Sequence, residues 1–362
     1  MRKNKLLSSL RKKLIKSSGE AILVSSQINQ RYVSGFDYTD GYILICPEEA
    51  YLLADFRYIE AAKAAVSDAD FVVIRPEGSM LSEIALLSRI DGIEKIYFED
   101  DTLCFASLER LRRELKEVDF APGASAAINE ERKVKTDVEL SKIAEAQAIT
   151  DRAFDYILGV LKPDMTEVEV ALELEFFMRR NGAEAVAFDT IAVSGSASSM
   201  PHGVPRDVPL ERGFLTMDFG ARVDGYCADM TRTVVIGKAD DEMKRLYNTV
   251  LSAQKAALDI IREGVVCRDV DRVARDIIDS AGYKGCFGHS LGHGVGMYIH
   301  ENPRFSPAAT DSEVLCRGNV VTVEPGIYVE GRYGVRIEDM IAIDNDGNFI
   351  NFTKSPKELI EI

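Results

Sequence analysis

Two pairs of carboxylates, each placed symmetrically about a turn inside an apolar stretch, constrain this chain more than any other feature of its sequence. The first pair is Asp218 and Asp229, within the run MDFGARVDGYCADMTRT at residues 217–233. β-Favouring residues on both sides of the Asp224-Gly225 dipeptide predict a β-hairpin. We therefore expect Asp218 and Asp229 to lie opposite one another on one face of adjacent strands.

The second pair, Glu324 and Glu338, repeats this pattern around a different turn. Its midpoint is Gly331, and glycine suits a tight loop because it adopts positive φ angles at little cost. A hairpin here would again place two carboxylates face to face. Like charges directly opposite one another destabilise a sheet unless a positive charge lies between them.

Four carboxylates that converge in one place need either protons or cations, because ionised groups are costly in a low-dielectric site. Two divalent ions would balance four negative charges, and His293 would add a neutral nitrogen ligand. Each residue taken alone has an ordinary alternative, as a solvated strand carboxylate, a turn residue or a hydrogen-bonded histidine. The repetition of context, turn and separation favours a dinuclear site with five ligands: Asp218, Asp229, His293, Glu324 and Glu338.

The histidines add to this pattern. The chain has four, and His289, His293 and His300 lie within one glycine-rich segment, GHSLGHGVGMYIHE. Glycines allow backbone and imidazoles to approach a ligand closely. The fourth, His202, lies in a turn with a proline on each side, where holding the turn is a structural alternative to a functional role.

Charge and cysteine content narrow the class of protein. Among 362 residues, 44 are basic and 59 acidic, so the net charge of −15 argues against nucleic acid or an anionic membrane as a partner. Six scattered cysteines without a Cys-x-x-Cys motif indicate reduced thiols rather than a zinc cluster or a disulfide framework. The apolar stretch near the N-terminus is interrupted too soon for a signal peptide or a membrane span. We expect a cytoplasmic protein.

The pattern of apolar residues predicts two domains of an α+β protein. Residues 1–124 alternate strand-like and helix-like segments, which predicts a smaller α/β domain without a phosphate-binding loop. Residues 125–362 open with a long helix, and the capping box of Thr166 and Glu169 starts a second one. A curved, mainly antiparallel sheet backed by helices is expected to follow. The order of two helices and an acidic hairpin occurs twice, which hints at an internal duplication.

The same motifs resemble those of the pita-bread metallopeptidases, specifically the aminopeptidase P and prolidase branch. The resemblance rests on the sequences around all five expected ligands: MDFGARVDGYCADMTRT, GHSLGHGVGMYIHE, TVEPGIY and GVRIEDM. Near the N-terminus, NQRYVSGF (29–36) and ADFRY (54–58) resemble the creatinase-like domain of that branch. The resemblance implies a pita-bread catalytic domain after a creatinase-like N-terminal domain. It also implies two divalent metal ions, manganese first, with cobalt or zinc as alternatives.

The resemblance further implies roles for residues around the metals. His202 and His300 would be catalytic, by hydrogen-bonding the substrate carbonyl and the developing oxyanion or leaving group. Glu324 would combine metal binding with proton transfer to the leaving proline nitrogen. His289 and Arg336 would bind substrate, although a supporting role for His289 and a salt bridge for Arg336 are alternatives.

The activity that the resemblance implies is hydrolysis of the bond between an N-terminal residue and proline, by a hydroxide that bridges the two metals. An Xaa-Pro aminopeptidase acting on longer peptides is the first interpretation, and a prolidase restricted to Xaa-Pro dipeptides is the alternative. A non-catalytic peptide-binding module that has kept its metal is a third hypothesis. The expected partners are proline-containing peptides and, by the habit of the family, a second copy of the chain in a homodimer.

Overall fold

The computed structural model describes residues 2–66 and 70–362 of the chain. Contacts between Cα positions divide it into two compact units, Met1–Arg132 and Lys133–Ile362. Each unit has apolar clusters of its own. Within the described ranges, no helix combines the length and the hydropathy that crossing a bilayer requires.

The first unit is a mixed sheet with helices on both faces. Its strands are β1 Glu20–Val24, β2 Tyr42–Ile45, β3 Ala50–Leu53, β4 Val72–Ile74, β5 Lys95–Phe98 and β6 Asp119–Pro122. Its helices are α1 Arg2–Leu14, α2 Gln27–Ser34, α3 Ile59–Ala65, α4 Met80–Ile90, α5 Phe105–Glu114 and α6 Ala124–Lys133. The strand order is β4-β3-β2-β1-β5-β6. This alternation confirms the predicted α/β character of the N-terminal part.

Both faces of this sheet are buried. Along β1, Ile22 and Val24 pack into one apolar cluster while Ala21 and Leu23 pack into another. Successive side chains of a strand point to opposite faces, so a strand that is apolar throughout must be covered on both sides.

Helix α6 belongs to the first unit. Ala124, Ala127 and Ile128 of this helix are buried in the same cluster as residues of α1 and β1. The division between the units therefore lies at the end of α6, between Arg132 and Lys133.

The second unit contains four long helices. They are α7 Asp137–Val160, α8 Glu167–Arg180, α9 Asp241–Ile260 and α10 Cys267–Ile278. The capping box predicted for α8 is present, because the Thr166 hydroxyl accepts the backbone N–H of Glu169, whose carboxylate accepts the backbone N–H of Thr166. These paired bonds satisfy donors that the start of a helix leaves free.

The strands of the second unit pair with one another in antiparallel fashion. They are β7 Ala185–Val186, β8 Ile191–Ser194, β9 Gly213–Phe219, β10 Ala221–Val223, β11 Tyr226–Cys227, β12 Met230–Ile236, β13 Gly292–Gly294, β14 Glu301–Phe305, β15 Val320–Val323, β16 Gly326–Val329, β17 Tyr333–Arg336, β18 Asp339–Ile343 and β19 Phe349–Asn351. Two strand groups that flank the candidate ligands run β12-β9-β8 and β14-β13-β15-β18-β19. The expectation of a mainly antiparallel sheet backed by helices is confirmed.

The register of the second acidic hairpin confirms the expected pairing of Glu324 and Glu338. In β15 and β18, Val323 faces Asp339, and in β16 and β17, Gly326 faces Arg336. Continuing the first ladder by one position, or the second by two, places Glu324 opposite Glu338. Gly331 lies at the centre with a φ angle of 70°, which favours glycine.

The expectation that Asp218 faces Asp229 is wrong. The turn of the first hairpin is centred between Asp224 and Gly225, so that β9 and β12 pair Asp218 with Thr231. Asp229 lies between β11 and β12, outside both ladders. The hairpin itself is confirmed, but the turn residues set its register.

The two helix pairs of the second unit are attached to its strands in the same way. The residue before α8, Thr166, forms an isolated antiparallel bridge with Pro209, and the residue before α10, Val266, forms one with Val314. The start of each pair's second helix is therefore fixed by a returning segment of chain. This repetition matches the duplication hinted at by the sequence.

Candidate active site

One cavity in the second unit brings together every site residue that the sequence singled out. Its volume is about 830 Å³. The expected ligands line it together with the other candidate residues: Asp218, Asp229, His293, Glu324, Glu338, His202, His289, His300 and Arg336. The residues come from strands and loops that are far apart in sequence, so the fold and not local proximity assembles the site.

Three of the expected ligands form the tightest group. One ligand atom from each of Asp229, His293 and Glu338 lies within 4.8 Å of the others, and all three residues are buried. The Nε2 atom of His293 is 3.5 Å from a carboxylate oxygen of Asp229 and 3.4 Å from one of Glu324. Such a converging set of oxygens and one imidazole nitrogen is a donor set for a hard or borderline divalent ion.

The glycines beside His293 allow its strand to approach its neighbours. A Cβ atom on Gly292 would lie 2.0 Å from the carbonyl oxygen of Thr322, and one on Gly294 would lie 2.4 Å from that of Asn302. The His293 Nδ1 atom lies 3.0 Å from the carbonyl oxygen of Gly294, and donation to it assigns the proton to Nδ1. Nε2 is then the unprotonated nitrogen that faces the carboxylates.

Two buried carboxylate oxygens of the site lack a hydrogen-bond partner among the described residues. They are Oδ1 of Asp218 and Oε1 of Glu338. A buried charged oxygen without a partner costs free energy that a bound cation would recover. The residues present therefore fit a metal centre.

Burial also acts on the protonation of these carboxylates. Desolvation, with the charge of Glu338 next, raises the pKa of Asp229 well above its ordinary range. Desolvation likewise raises the pKa of Glu338, and it raises that of Glu324 to about 8 against the opposing charge of Arg336. Without cations the cluster would hold protons, so cations and protons compete for it.

Arg336 links the two acidic hairpins. Its guanidinium forms a 2.6 Å ion pair with Asp218 and donates to the Thr231 hydroxyl at 2.9 Å. It also donates to the Tyr328 hydroxyl at 2.8 Å and to the Pro201 carbonyl at 3.1 Å. The salt bridge considered from the sequence is thus present, and the guanidinium is engaged by the protein.

Thr231 is a supporting residue that the sequence reasoning missed. Its hydroxyl accepts from Arg336 and donates to a carboxylate oxygen of Glu338 at 2.7 Å. The backbone N–H of Glu338 in turn donates to the Thr231 carbonyl at 3.1 Å. The available signal was its position two residues after the expected ligand Asp229, a spacing that predicts a shared face in an extended chain, although Asp229 itself lies just before β12.

His289 is held by the protein at both ring nitrogens. Nδ1 lies 2.8 Å from the Ser290 carbonyl and Nε2 lies 3.0 Å from the Tyr328 hydroxyl. Burial lowers the pKa of His289 to about 4, so the ring is neutral near pH 7. This geometry corresponds to the supporting alternative weighed for His289.

His202 and His300 are exposed to the cavity. Within the ranges that the structure describes, neither imidazole has a hydrogen-bond partner in the protein. The ring of His300 packs edge-on against that of His293, with centroids 4.4 Å apart. Burial lowers the pKa of His300, so this ring too is neutral near pH 7. Both imidazoles can therefore hydrogen-bond a ligand in the cavity.

Arg304 is a cavity residue that the sequence reasoning did not select. It lies on β14 directly opposite His293 and lines the cavity. Among the described residues, its guanidinium has no ion-pair partner. Arg304 follows His300 by four residues, and an even spacing in an extended segment could have indicated a shared face.

Comparisons with known proteins find similarity along most of the chain. A family model described as metallopeptidase family M24 matches residues 141–345, and one described as the creatinase/prolidase N-terminal domain matches residues 7–134. An Xaa-Pro dipeptidase from Pyrococcus horikoshii is 37% identical over 347 residues, covering 95% of each chain.

Solved structures give the same result. The structure described as Xaa-Pro dipeptidase from Bacillus anthracis has a TM-score of 0.94 and 40% identity, covering 99% of this chain and 100% of that one. The X-Pro aminopeptidase from Thermotoga maritima has a TM-score of 0.88 and 36% identity, with 100% of each chain covered.

Proposed function

The chain belongs to metallopeptidase family M24, and from that premise we propose that it is an exopeptidase that hydrolyses the bond between an N-terminal residue and proline. Membership confirms the resemblance drawn from the motifs, together with the pita-bread fold and the creatinase-like N-terminal domain. The observation that carries the proposal is the convergence of five ligand residues and two unengaged imidazoles in one cavity.

The residues that would hold two divalent ions share the floor of this cavity: Asp218, Asp229, His293, Glu324 and Glu338. When bound, such ions supply Lewis acidity that activates a water molecule and polarises the scissile carbonyl. Four carboxylates and a single imidazole suit manganese better than zinc. Manganese is therefore the expected ion. The homodimer expected from the family is a separate prediction.

The residues around the ligands would supply hydrogen bonds and a proton path. His202 and His300 would donate to the substrate carbonyl oxygen as it becomes negatively charged, because both rings face the cavity without a protein partner. Glu324 would hold a proton at a carboxylate oxygen and pass it to the leaving proline nitrogen. Arg336 pairs with Asp218 and also lines the cavity. It would hold Asp218 in place and contact a bound substrate.

The length of the substrate is the finer part of the proposal. Of the two candidate lengths, Arg304 favours the dipeptide, because a cavity cation without an ion-pair partner among the described residues complements a proline carboxylate. In a longer peptide that carboxylate is replaced by a neutral amide. The relatives described above include proteins named for each activity.

The test compares manganese-loaded protein on an Xaa-Pro dipeptide, an Xaa-Pro-Yaa-Yaa peptide and an Xaa-Ala control. Cleavage of proline peptides alone supports the proposal, and a higher kcat/KM for the dipeptide supports the role of Arg304. Arg304→Gln should raise KM for the dipeptide but not for the longer peptide, with Arg304→Lys as the matched charge control. Binding of proline peptides without cleavage of any of them would instead support the non-catalytic peptide-binding hypothesis.

A further inference from the structure

A buried ion pair lies next to His300, the residue that directly precedes β14. The Lys135 ammonium is 3.1 Å from a carboxylate oxygen of Glu301, and the two side chains are 1% and 3% exposed. The partners are 166 residues apart in sequence. Charged groups are buried this completely only where geometry and further hydrogen bonds compensate for desolvation.

Glu301 and His300 point to opposite sides of the same segment. Along β14, buried and exposed residues alternate, with Glu301 and Phe305 buried and Arg304 exposed. His300 and Arg304 line the cavity, whereas Glu301 does not. His300 directly precedes β14 and is exposed where Glu301 is buried. Fixing Glu301 on the inner face therefore also restricts the direction of its neighbour His300, because successive side chains of an extended segment point to opposite sides.

The Glu301 carboxylate also organises the turn that leads to His300. It accepts the backbone N–H of Tyr298 at 3.1 Å, and the N–H of Gly296 donates to the Tyr298 carbonyl at 3.0 Å. A Cβ atom on Gly296 would lie 2.6 Å from a Glu301 carboxylate oxygen. The backbone therefore folds closely around this carboxylate, and a side chain at position 296 would disturb it.

Lys135 is itself fixed by its backbone. Its N–H donates to the Gly318 carbonyl at 2.7 Å, and its carbonyl accepts from the Asn345 side chain at 3.3 Å. Thr136, the next residue, is the N-cap of α7. The Lys135 side chain thus starts from a backbone held by hydrogen bonds at the start of α7. Its ammonium holds the Glu301 carboxylate in place.

We propose that Lys135 and Glu301 are positioning residues that hold the His300 imidazole in the orientation needed for turnover. The inference deepens the proposed function, because it rests on the role of His300 in hydrogen-bonding the substrate. Misplacing a catalytic group by about 1 Å can lower turnover on the order of 10²-fold. An ion pair that served stability alone would leave the His300 orientation unchanged.

The kinetic test is a double-mutant cycle of Glu301→Gln and His300→Ala. We expect Glu301→Gln to lower kcat by about 10- to 100-fold with KM and metal content little changed. In the His300→Ala background, the same change should have less than about a 2-fold effect, because the group that it positions is absent. Equal effects of Glu301→Gln in both backgrounds would overturn the proposal.

Lys135→Arg provides a milder variant that keeps the charge if Glu301→Gln folds poorly. It should lower kcat less than Lys135→Met does, since the guanidinium can still pair with Glu301 in a shifted geometry. The same loss of kcat for Lys135→Arg and Lys135→Met, together with an unmoved His300, would contradict the proposal.

A spectroscopic readout separates this inference from the proposed function. The chain has four histidines, so the His300 imidazole proton resonance can be assigned by single replacements in metal-free protein. Glu301→Gln and Lys135→Arg should shift that resonance, whereas Glu99→Gln, which changes a buried carboxylate of the first unit, should not. An unchanged resonance in both variants would overturn the inference even if the wild type cleaves Xaa-Pro peptides. A shifted resonance in a protein that cleaves no proline peptide would instead overturn the proposed function alone.

Discussion

The second unit consists of two halves, α7 to β12 and α9 to β19, which repeat the order of two helices followed by strands. The two halves hold their cavity-lining segments in place with different charged residues. In the first half, α8 begins with Glu167, whose side chain is fully buried and forms an ion pair with Arg206 at 2.6 Å. In the second half, α10 begins with Cys267, which is buried in an apolar cluster. The two helix starts correspond, yet only α8 has a buried charged side chain as its first residue.

The second half places its anchor further along the helix. Asp271 pairs with Arg275 at 2.8 Å and accepts the backbone N–H of Leu291 at 2.9 Å. Arg275 then donates to the carbonyls of Phe287 and His289 at 2.7 and 2.8 Å. Its ion pair therefore fixes the segment that carries His289.

The first half uses its ion pair for the segment after His202. The Glu167 carboxylate accepts the backbone N–H of Arg206 at 2.9 Å and that of Ser194 at 2.7 Å. The comparison shows that a repeated backbone frame can present different histidines, because each half has its own polar anchor. The ligands themselves come from both halves, so the two must act together.

Removing a ligand from either half should have the largest effect. Asp229→Ala removes a ligand of the first half and Glu338→Ala one of the second, and each should abolish both tight metal binding and activity. Metal content by mass spectrometry and turnover are measured together. If either variant kept full activity, the ligands of the two halves would not belong to one metal centre.

Removing the unengaged histidine of each half should have the next largest effect. His202→Ala and His300→Ala should each lower kcat by a factor on the order of 10²–10⁴ while metal content is retained. If His202→Ala leaves kinetics unchanged, that residue returns to a purely structural role in its turn and the halves are not equivalent in function.

Breaking the anchor of the first half should destabilise the protein by a smaller amount. Glu167→Ala removes the buried partner of Arg206, which keeps only its 3.1 Å contact with Glu211. A buried pair broken on one side costs about 3–5 kcal/mol. Since Arg206 is 37% exposed, solvent screening reduces the expected loss to about 2–3 kcal/mol. Cys267→Ala at the corresponding position is the matched control. The free energy of unfolding is measured with denaturant for both variants. A larger loss for Cys267→Ala than for Glu167→Ala would contradict the special role of the charged helix start.

The two anchored segments should also respond to acid in different pH windows. Burial holds the pKa of His289 at about 4, below its ordinary value of 6.5. Between these values the unfolded chain binds a proton that the folded chain does not, so the free energy of unfolding falls as pH decreases through that window. The loss is at most about 3 kcal/mol. His289→Gln should flatten this dependence in stability measurements from pH 7 to 4.

The Glu167 anchor of the first half should be insensitive to acid between about pH 7 and 5, which lies above the titration of its carboxylate. The ion pair with Arg206 and hydrogen bonds from Ser194 outweigh desolvation and hold the pKa of Glu167 below its ordinary value of 4.5. Its contribution is fully present above that value and is lost only as pH falls through the lower folded pKa. The free energy of unfolding of the wild type and of Glu167→Gln is compared from pH 7 to 5. A difference between the two proteins that changed over this range would contradict the assignment.

Parts of the site could be predicted because they depend on local sequence. Glu324 and Glu338 are symmetric about Gly331, and the observed ladders keep that symmetry. Asp218 was assigned the wrong partner because the two-residue turn at Asp224 shifts the pairing to Thr231. A small change in turn position is enough to displace every facing residue.

Other parts of the site could not be predicted because they depend on distant pairings. Nothing local to Lys135 indicates that its partner is Glu301, since only the folded chain brings them together. Arg304 shows the same limit, because its place opposite His293 follows from the pairing of β13 with β14. Helix starts and hairpins have local signals, whereas buried ion pairs between remote segments do not.

A manganese titration of metal-free protein, with hydrolysis of an Xaa-Pro dipeptide as the readout, tests the central claim most directly. Negligible turnover is expected without metal, with a plateau at about two ions per chain, if the five ligand residues from both halves form a single dinuclear centre. Full turnover without added metal, or no turnover at any manganese concentration, would contradict it.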